Sequence, residues 1–252
     1  MAKRTLLDMV QEILNDIDSD EVESIDDTVE SEQVVSMIKS AYYAMMSNRD
    51  WPHLRQTIQV SGLGDTTKPT HMKLQDGIKE LCFINYNKIK DGETRKRYEK
   101  IEYLEPDHFL HKTNQRNNDE ANVDSVTDTG GIEVLIKNDT PPTYFTSFDD
   151  EYLVFDSYDN TVDTTLQESK IQAQAYVMPS WNSADDFIPD LPDNAFTALV
   201  EEAKSRASLR LKQVSDQKAE QEAGRQQRWL ARKARRVAGG IKYPDYGRKG
   251  RK

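Results

Sequence analysis

The chain has 252 residues, 36% of them hydrophobic and 31% charged, with a net charge of −10. That is enough apolar material for one large or two small domains with much solvated or interface surface, and it excludes a chain disordered throughout. No run reaches the ~18 apolar residues of a membrane span, no N-terminal segment reads as a signal peptide, and a single cysteine, Cys82, excludes an internal disulfide framework. These features predict a soluble protein made in a reducing cytoplasm, with no membrane partner.

Thr5 to about Asp16 is predicted as a first helix. Leu6, Val10, Ile13, Leu14 and Ile17 share one face, and Thr5 with Asp8 makes a capping-box pattern. An acidic linker, DIDSDEVESIDD, leads to a second helix from about Val29 to Asn48. Its wide apolar face holds Val34, Val35, Ile38, Ala41, Tyr42 and Met45, and the Asp50-Trp51-Pro52 step ends it.

The character changes at His53. His53 to Val60 alternates as a half-buried strand, and further strands are predicted at Met72–Leu74, Ile78–Tyr86, Tyr98–Leu104, Ile132–Lys137, Thr143–Phe148, Glu151–Phe155 and Ile171–Met178. A Pro-led short helix over Glu105 to about Thr113 interrupts them, and Phe148-Asp149-Asp150-Glu151 reads as a tight hairpin. The polar, acidic stretch from Asn114 to Gly131 is predicted as an exposed loop. A crossing segment, PSWNSADDFIPDLP, is pinned by Trp181 and Phe187 and leads to the C-terminal helix.

Asp190 as a cap, Pro192 in the first turn and Asp193 near the positive end of the dipole mark that helix's start. Phe196, Val200, Ala203, Ala207, Leu211 and Val214 form one stripe. Helix formers continue to about Val237, interrupted only by Gly224 at a cost of about 1 kcal/mol. This predicts one helix of about 46 residues, roughly 70 Å long, whose second half has no partner in its own subunit. The pattern predicts an α+β fold: a small helical bundle of two N-terminal helices and one long C-terminal helix, with a β-rich insert domain and a basic C-terminal arm. Its parts are the N-terminal helices (1–52), the insert (53–180), the long helix completing the bundle (181–238) and the basic tail (239–252). Gly, Pro and charge make independent order of the tail unfavourable.

Chemistry-bearing motifs are few. His108 and His111 share a helix face, but no other His or Cys is placed to complete a metal site. There is no P-loop, GxGxxG or GxSxG pattern. Asp149 with Asp150, and Asp185 with Asp186, suit turns and caps better than acid–base work. The expectation is a protein that is not an enzyme, with no catalytic residues, no cofactor and no metal.

The basic arm is the firmest signal. From Lys204 to Lys252, sixteen Lys and Arg stand against four Asp and Glu, a net of +12, which leaves −22 on residues 1–203. Arg225, Arg228, Arg232 and Arg235 fall on one helical stripe beside Arg236, with Trp229 as an interface anchor. Tyr243, Tyr246, Arg248, Lys249 and Arg251 continue the signal into the tail. Such an arm fits an acidic protein surface. The alternative is a nucleic-acid-binding protein that uses the Arg-rich helix on phosphates.

The segments TLLDMVQEILNDI, AYYAMMSNRDWP, PPTYFTSFDDEYLVFDSYD, FIPDLPDNAFTALVEEAKSRA and AEQEAGRQQRWLARKARRV, in this order, resemble the head-to-tail adaptor family (connector, or tail-tube protein A) of tailed, especially short-tailed, bacteriophages. The resemblance implies a virion structural protein in the neck between capsid and tail. It implies a ring, typically of twelve copies, that joins the portal protein to the tail nozzle or tube protein and continues the channel. Double-stranded DNA would pass through without tight binding, which a negative body favours. It also implies that the C-terminal helix and tail reach the portal, and that the β insert faces the tail side.

Overall fold

The computed structural model describes residues 3–90, 92–213 and 217–234, the last four by backbone alone. Among these are five α-helices, α1 (Leu6–Asp16), α2 (Val29–Ser47), α3 (Pro106–Thr113), α4 (Phe196–Leu211) and α5 (Gln217–Ala234). The ten strands are β1 (Arg55–Ile58), β2 (Ser61–Gly62), β3 (His71–Lys73), β4 (Ile78–Asn87), β5 (Tyr98–Tyr103), β6 (Val123–Thr127), β7 (Glu133–Lys137), β8 (Tyr144–Thr146), β9 (Tyr152–Phe155) and β10 (Ile171–Val177). The chain forms two compact units, residues 1–55 with 178–252, and residues 56–177.

The first unit is helical. At the start of α1, Asp8 N–H donates to Thr5 Oγ1 (3.1 Å) and Thr5 N–H to Asp8 Oδ2 (3.0 Å), and hydrogen bonding from the Thr5 hydroxyl and N–H holds the Asp8 carboxyl below its ordinary pKa. The N–H groups of Leu6 and Leu7, which have no acceptor inside the helix, donate to the carbonyls of Phe187 and Asp185 at 2.7 and 3.2 Å. Thr28 and Ser31 cap α2 in the same reciprocal way. The crossing segment is held twice more: Asp185 Oδ1 accepts from Ile25 N–H at 2.9 Å, and the Trp181 ring meets Tyr42 at a tilt (5.6 Å) and Phe187 edge to face (5.0 Å). Helices α1, α2 and α4 pack on one another around Leu6, Ile13, Ile38, Met46, Phe196 and Leu199, all essentially without solvent exposure.

The single long C-terminal helix is not formed. The turn Pro192–Ala195 precedes α4, which starts at Phe196 with no side-chain cap. After Leu211 the chain leaves the helix, with Gln213 at φ 56°, and α5 packs back on α4. Ala219, Ala223 and Leu230 are buried on α5. Ala203 and Ala207 are likewise buried on α4, and alanine side chains permit a close approach of two packed helices. The expectation that everything past Val214 lacks a home in its own subunit is therefore corrected for one face of α5.

The second unit is built on an eight-stranded sheet in the order β1-β10-β4-β5-β8-β9-β3-β2. β5 and β8 are parallel, while β10–β4, β4–β5, β8–β9, β9–β3 and β3–β2 are antiparallel. The two edge strands, β1 and β2, are separated by only Gln59 and Val60. Three Cα steps span at most about 11 Å, whereas a flat sheet of this many strands at ~4.8 Å spacing would be roughly 34 Å wide. The sheet must therefore curl until its edges approach each other, and it does so around Met72, Ile84, Ile101, Phe145, Leu153 and Phe155. α3 seats the fully buried Phe109 against β7 and β8.

The expected small bundle with a β-rich insert is thus corrected in both parts. Among the described residues four α-helices, not three, make the helical unit, and the strands form a large curled sheet with a helix and a hairpin of its own. The hairpin β6–β7 also overturns the loop predicted over Asn114–Gly131, because Val123 and Val126 are buried and pair β6 with β7. The single strand predicted over His53–Val60 is divided into a short 3-10 turn, Pro52–Leu54, then β1 and the approach to β2.

Candidate docking site

The Arg-rich helix is two-faced. Ala219, Ala223 and Leu230, at offsets of four and seven residues, form the stripe that faces α4. On the other side, Lys218, Gln221, Glu222, Arg225, Arg228 and Trp229 line one shallow concavity. Trp229 keeps 51% of its surface exposed. The Arg228 Nε–H donates to the Gly224 carbonyl at 3.0 Å, and Arg225 pairs with Glu222 one turn back. The Arg225 and Gln226 hydrogen bonds hold the Glu222 carboxyl below its ordinary range.

Of the predicted site residues, the structure brings Arg225, Arg228 and Trp229 together on this face. Arg232 lies one turn beyond Arg228 in α5, with its side chain outside the described residues. Arg235, Arg236, Tyr243, Tyr246, Arg248, Lys249 and Arg251 lie outside the described residues altogether. Lys218 and Gln221 were missed, although Lys218, Gln221, Arg225 and Arg228 follow the same three-and-four spacing. Two guanidinium groups and an ammonium around a half-exposed indole suit an acidic protein surface. The cations offer charge-assisted bonds to carboxylates, and the ring offers apolar area to bury.

The buried polar groups of the second unit serve structure. The Arg116 guanidinium donates to Asp156 Oδ2 and to the Leu135 carbonyl, both at 2.9 Å. Asp156 Oδ1 also accepts the N–H groups of Thr143 and Tyr144 at 2.9 Å. This single carboxylate fastens β8 and, through Arg116, β7. His71 Nε2 lies 2.9 Å from Asp128 Oδ1, both side chains almost fully buried, and ties β3 to the end of β6. Asp149 Oδ1 accepts the N–H groups of Glu151 and Tyr152 in the β8–β9 turn, where Asp150 takes φ 61°. His108 is exposed on α3, and His111 Nδ1 lies 3.3 Å from Gln115 Nε2. Among the described residues no three His, Cys, Asp or Glu side chains converge as a metal site would need, and no helix is long and apolar enough to cross a membrane.

No protein-family model matches the chain, and a search of curated proteins returns no match.

Proposed function

We propose that the chain is a virion structural protein, a head-to-tail adaptor that assembles as a ring and docks on the portal through the exposed face of α5. The observation that carries this reading is the division of α5. One face is buried through Ala219, Ala223 and Leu230, while Lys218, Arg225, Arg228 and Trp229 stand exposed on the other as a cationic and aromatic patch that also holds Glu222. A patch built on a packed helix is preorganised, so docking orders little and wastes little of the contact energy. The rest of the chain, at −22 over residues 1–203, repels DNA phosphates, as the wall of a channel for moving DNA should.

The test is co-sedimentation of the purified protein with portal rings over a salt series. Wild type should bind in a salt-sensitive manner, and Arg225→Glu with Arg228→Glu, whose far-UV spectrum stays native, should bind at least tenfold more weakly. Full binding by that variant would sink the docking role. Tight, steeply salt-dependent retention of duplex DNA in place of portal would favour the nucleic-acid reading instead.

A further inference from the structure

The two-stranded β6–β7 hairpin leaves one strand edge open. In its register, Asp128 N–H donates to the Ile132 carbonyl and Asn138 N–H to the Asn122 carbonyl, so even-numbered residues of β6 bond to β7. Odd-numbered residues therefore turn their backbone groups away from β7. Val123 N–H is taken by the Glu120 carbonyl. The N–H and C=O groups of Ser125 and Thr127 have no backbone partner among the described residues. A groove runs beside this strand, lined by Val123 to Asp128 and by Thr66, Thr67, Lys68 and Pro69.

Charge decides what such an edge can accept. Residues 117–137, the hairpin and the turn before it, carry five Asp and Glu against Lys137, and Lys68 lines the same groove, which leaves the edge net acidic. Two copies of the hairpin would therefore repel each other edge to edge. A basic extended segment is attracted, and the chain has one: residues 239–252, GGIKYPDYGRKGRK, with five Lys and Arg against one Asp. Within it Ile241 and Tyr243 alternate with Lys242 as a strand would, and Pro244 then stops the ladder.

We propose that the β6 edge is a strand-addition site for the C-terminal segment of a second copy, Gly240–Tyr243 pairing with Ser125 and Thr127 while the following Lys and Arg residues meet the acidic hairpin. The contact joins unlike patches, so repetition closes a ring or extends a filament. It rests on the proposed self-assembly but not on portal docking by α5, and it gives Tyr243 and the Lys and Arg residues after it to a neighbouring copy in place of the portal contact that the resemblance implies for the tail.

The experiment uses the full-length protein, with hydrogen exchange and sedimentation velocity measured across a concentration series, and a synthetic peptide of residues 239–252 as a competing strand. Exchange at the Ser125 and Thr127 amides should slow at least tenfold as oligomers form, or when the peptide is added to dilute monomer. Ser125→Pro removes an outward N–H that β7 does not use, and it should abolish both the protection and the peptide binding. Ser125→Ala keeps the N–H and should preserve both, and Thr127→Pro should reproduce the loss if Ser125→Pro fails to fold. Arg225→Glu with Arg228→Glu should leave the protection unchanged, which separates this contact from the α5 patch. The proposal is overturned if the proline variants assemble as wild type does. It is equally overturned if these amides are protected independently of concentration, or if neither assembly nor peptide protects them.

Discussion

The substitution Asp156→Asn isolates one buried carboxylate from the shape of its side chain. Asn can still accept the Thr143 and Tyr144 N–H groups at Oδ1, but it turns an NH2 toward Arg116 and leaves that guanidinium with only the Leu135 and Asp156 carbonyls. The two side chains are 10% and 7% exposed, so water screens the orphaned cation poorly. Removing one member of a buried pair costs roughly 3–5 kcal/mol, and the bonds that Asn retains place this case near the lower figure. At about 4 °C per kcal/mol, that is a fall of roughly 10 °C in the melting temperature of the sheet unit. Calorimetry on wild type, Asp156→Asn, Arg116→Met and the double variant completes a thermodynamic cycle, in which the double variant should cost less than the two singles together. A single-variant loss below about 1 kcal/mol, or strict additivity, would refute the view that this pair fastens β7 and β8.

Other consequences follow from the same structure. Leu230→Asp should strip α5 from α4, lowering helix content and unfolding by urea at reduced denaturant while the sheet unit's transition stays in place. Gly224→Ala should stabilise α5 by up to about 1 kcal/mol, because an added Cβ meets only the Arg228 Nη2 at 3.7 Å, an ordinary contact; a loss of stability in urea titration would contradict this. Burial holds His53 and His71 below the ordinary histidine value. The unfolded chain therefore takes up protons first as the pH falls below about 6.5. Stability should be fully present above that value and decline as the pH drops through the folded values. His71→Gln, which keeps a hydrogen-bonding group toward Asp128, should remove part of that slope in pH-dependent melting. Thr28→Ala should cost about 1 kcal/mol through the lost α2 cap, measured by urea unfolding.

Local grammar was legible where side chains act on their own neighbours. Thr5 with Asp8 announced the start of α1, alternation announced most strands, and Asp149-Asp150 announced the β8–β9 turn. The break between α4 and α5 was not legible, because no glycine or proline marks it. Gln213 adopts the left-handed conformation although its type gives no warning. The return face of α5 rests on Ala219 and Ala223, which read as neutral helix formers rather than as a packing stripe. β6 was hidden by its acids: Asp124 and Asp128 flank Val126, and composition outweighed the short apolar pattern. At the candidate site, the spacing of Arg225 and Arg228 did identify a shared face, while Lys218 and the open edge at Ser125 and Thr127 needed the helix packing and the strand register.

Docking of an acidic partner on the Lys218–Trp229 face of α5 is the proposal on which the functional reading turns. Electron cryomicroscopy of the intact virion neck tests it most directly. In it α5 should remain packed on α4, with Arg225, Arg228 and Trp229 pressed against carboxylates of the portal ring. Finding that face in open solvent, or finding no copy of the chain between portal and tail, would contradict it.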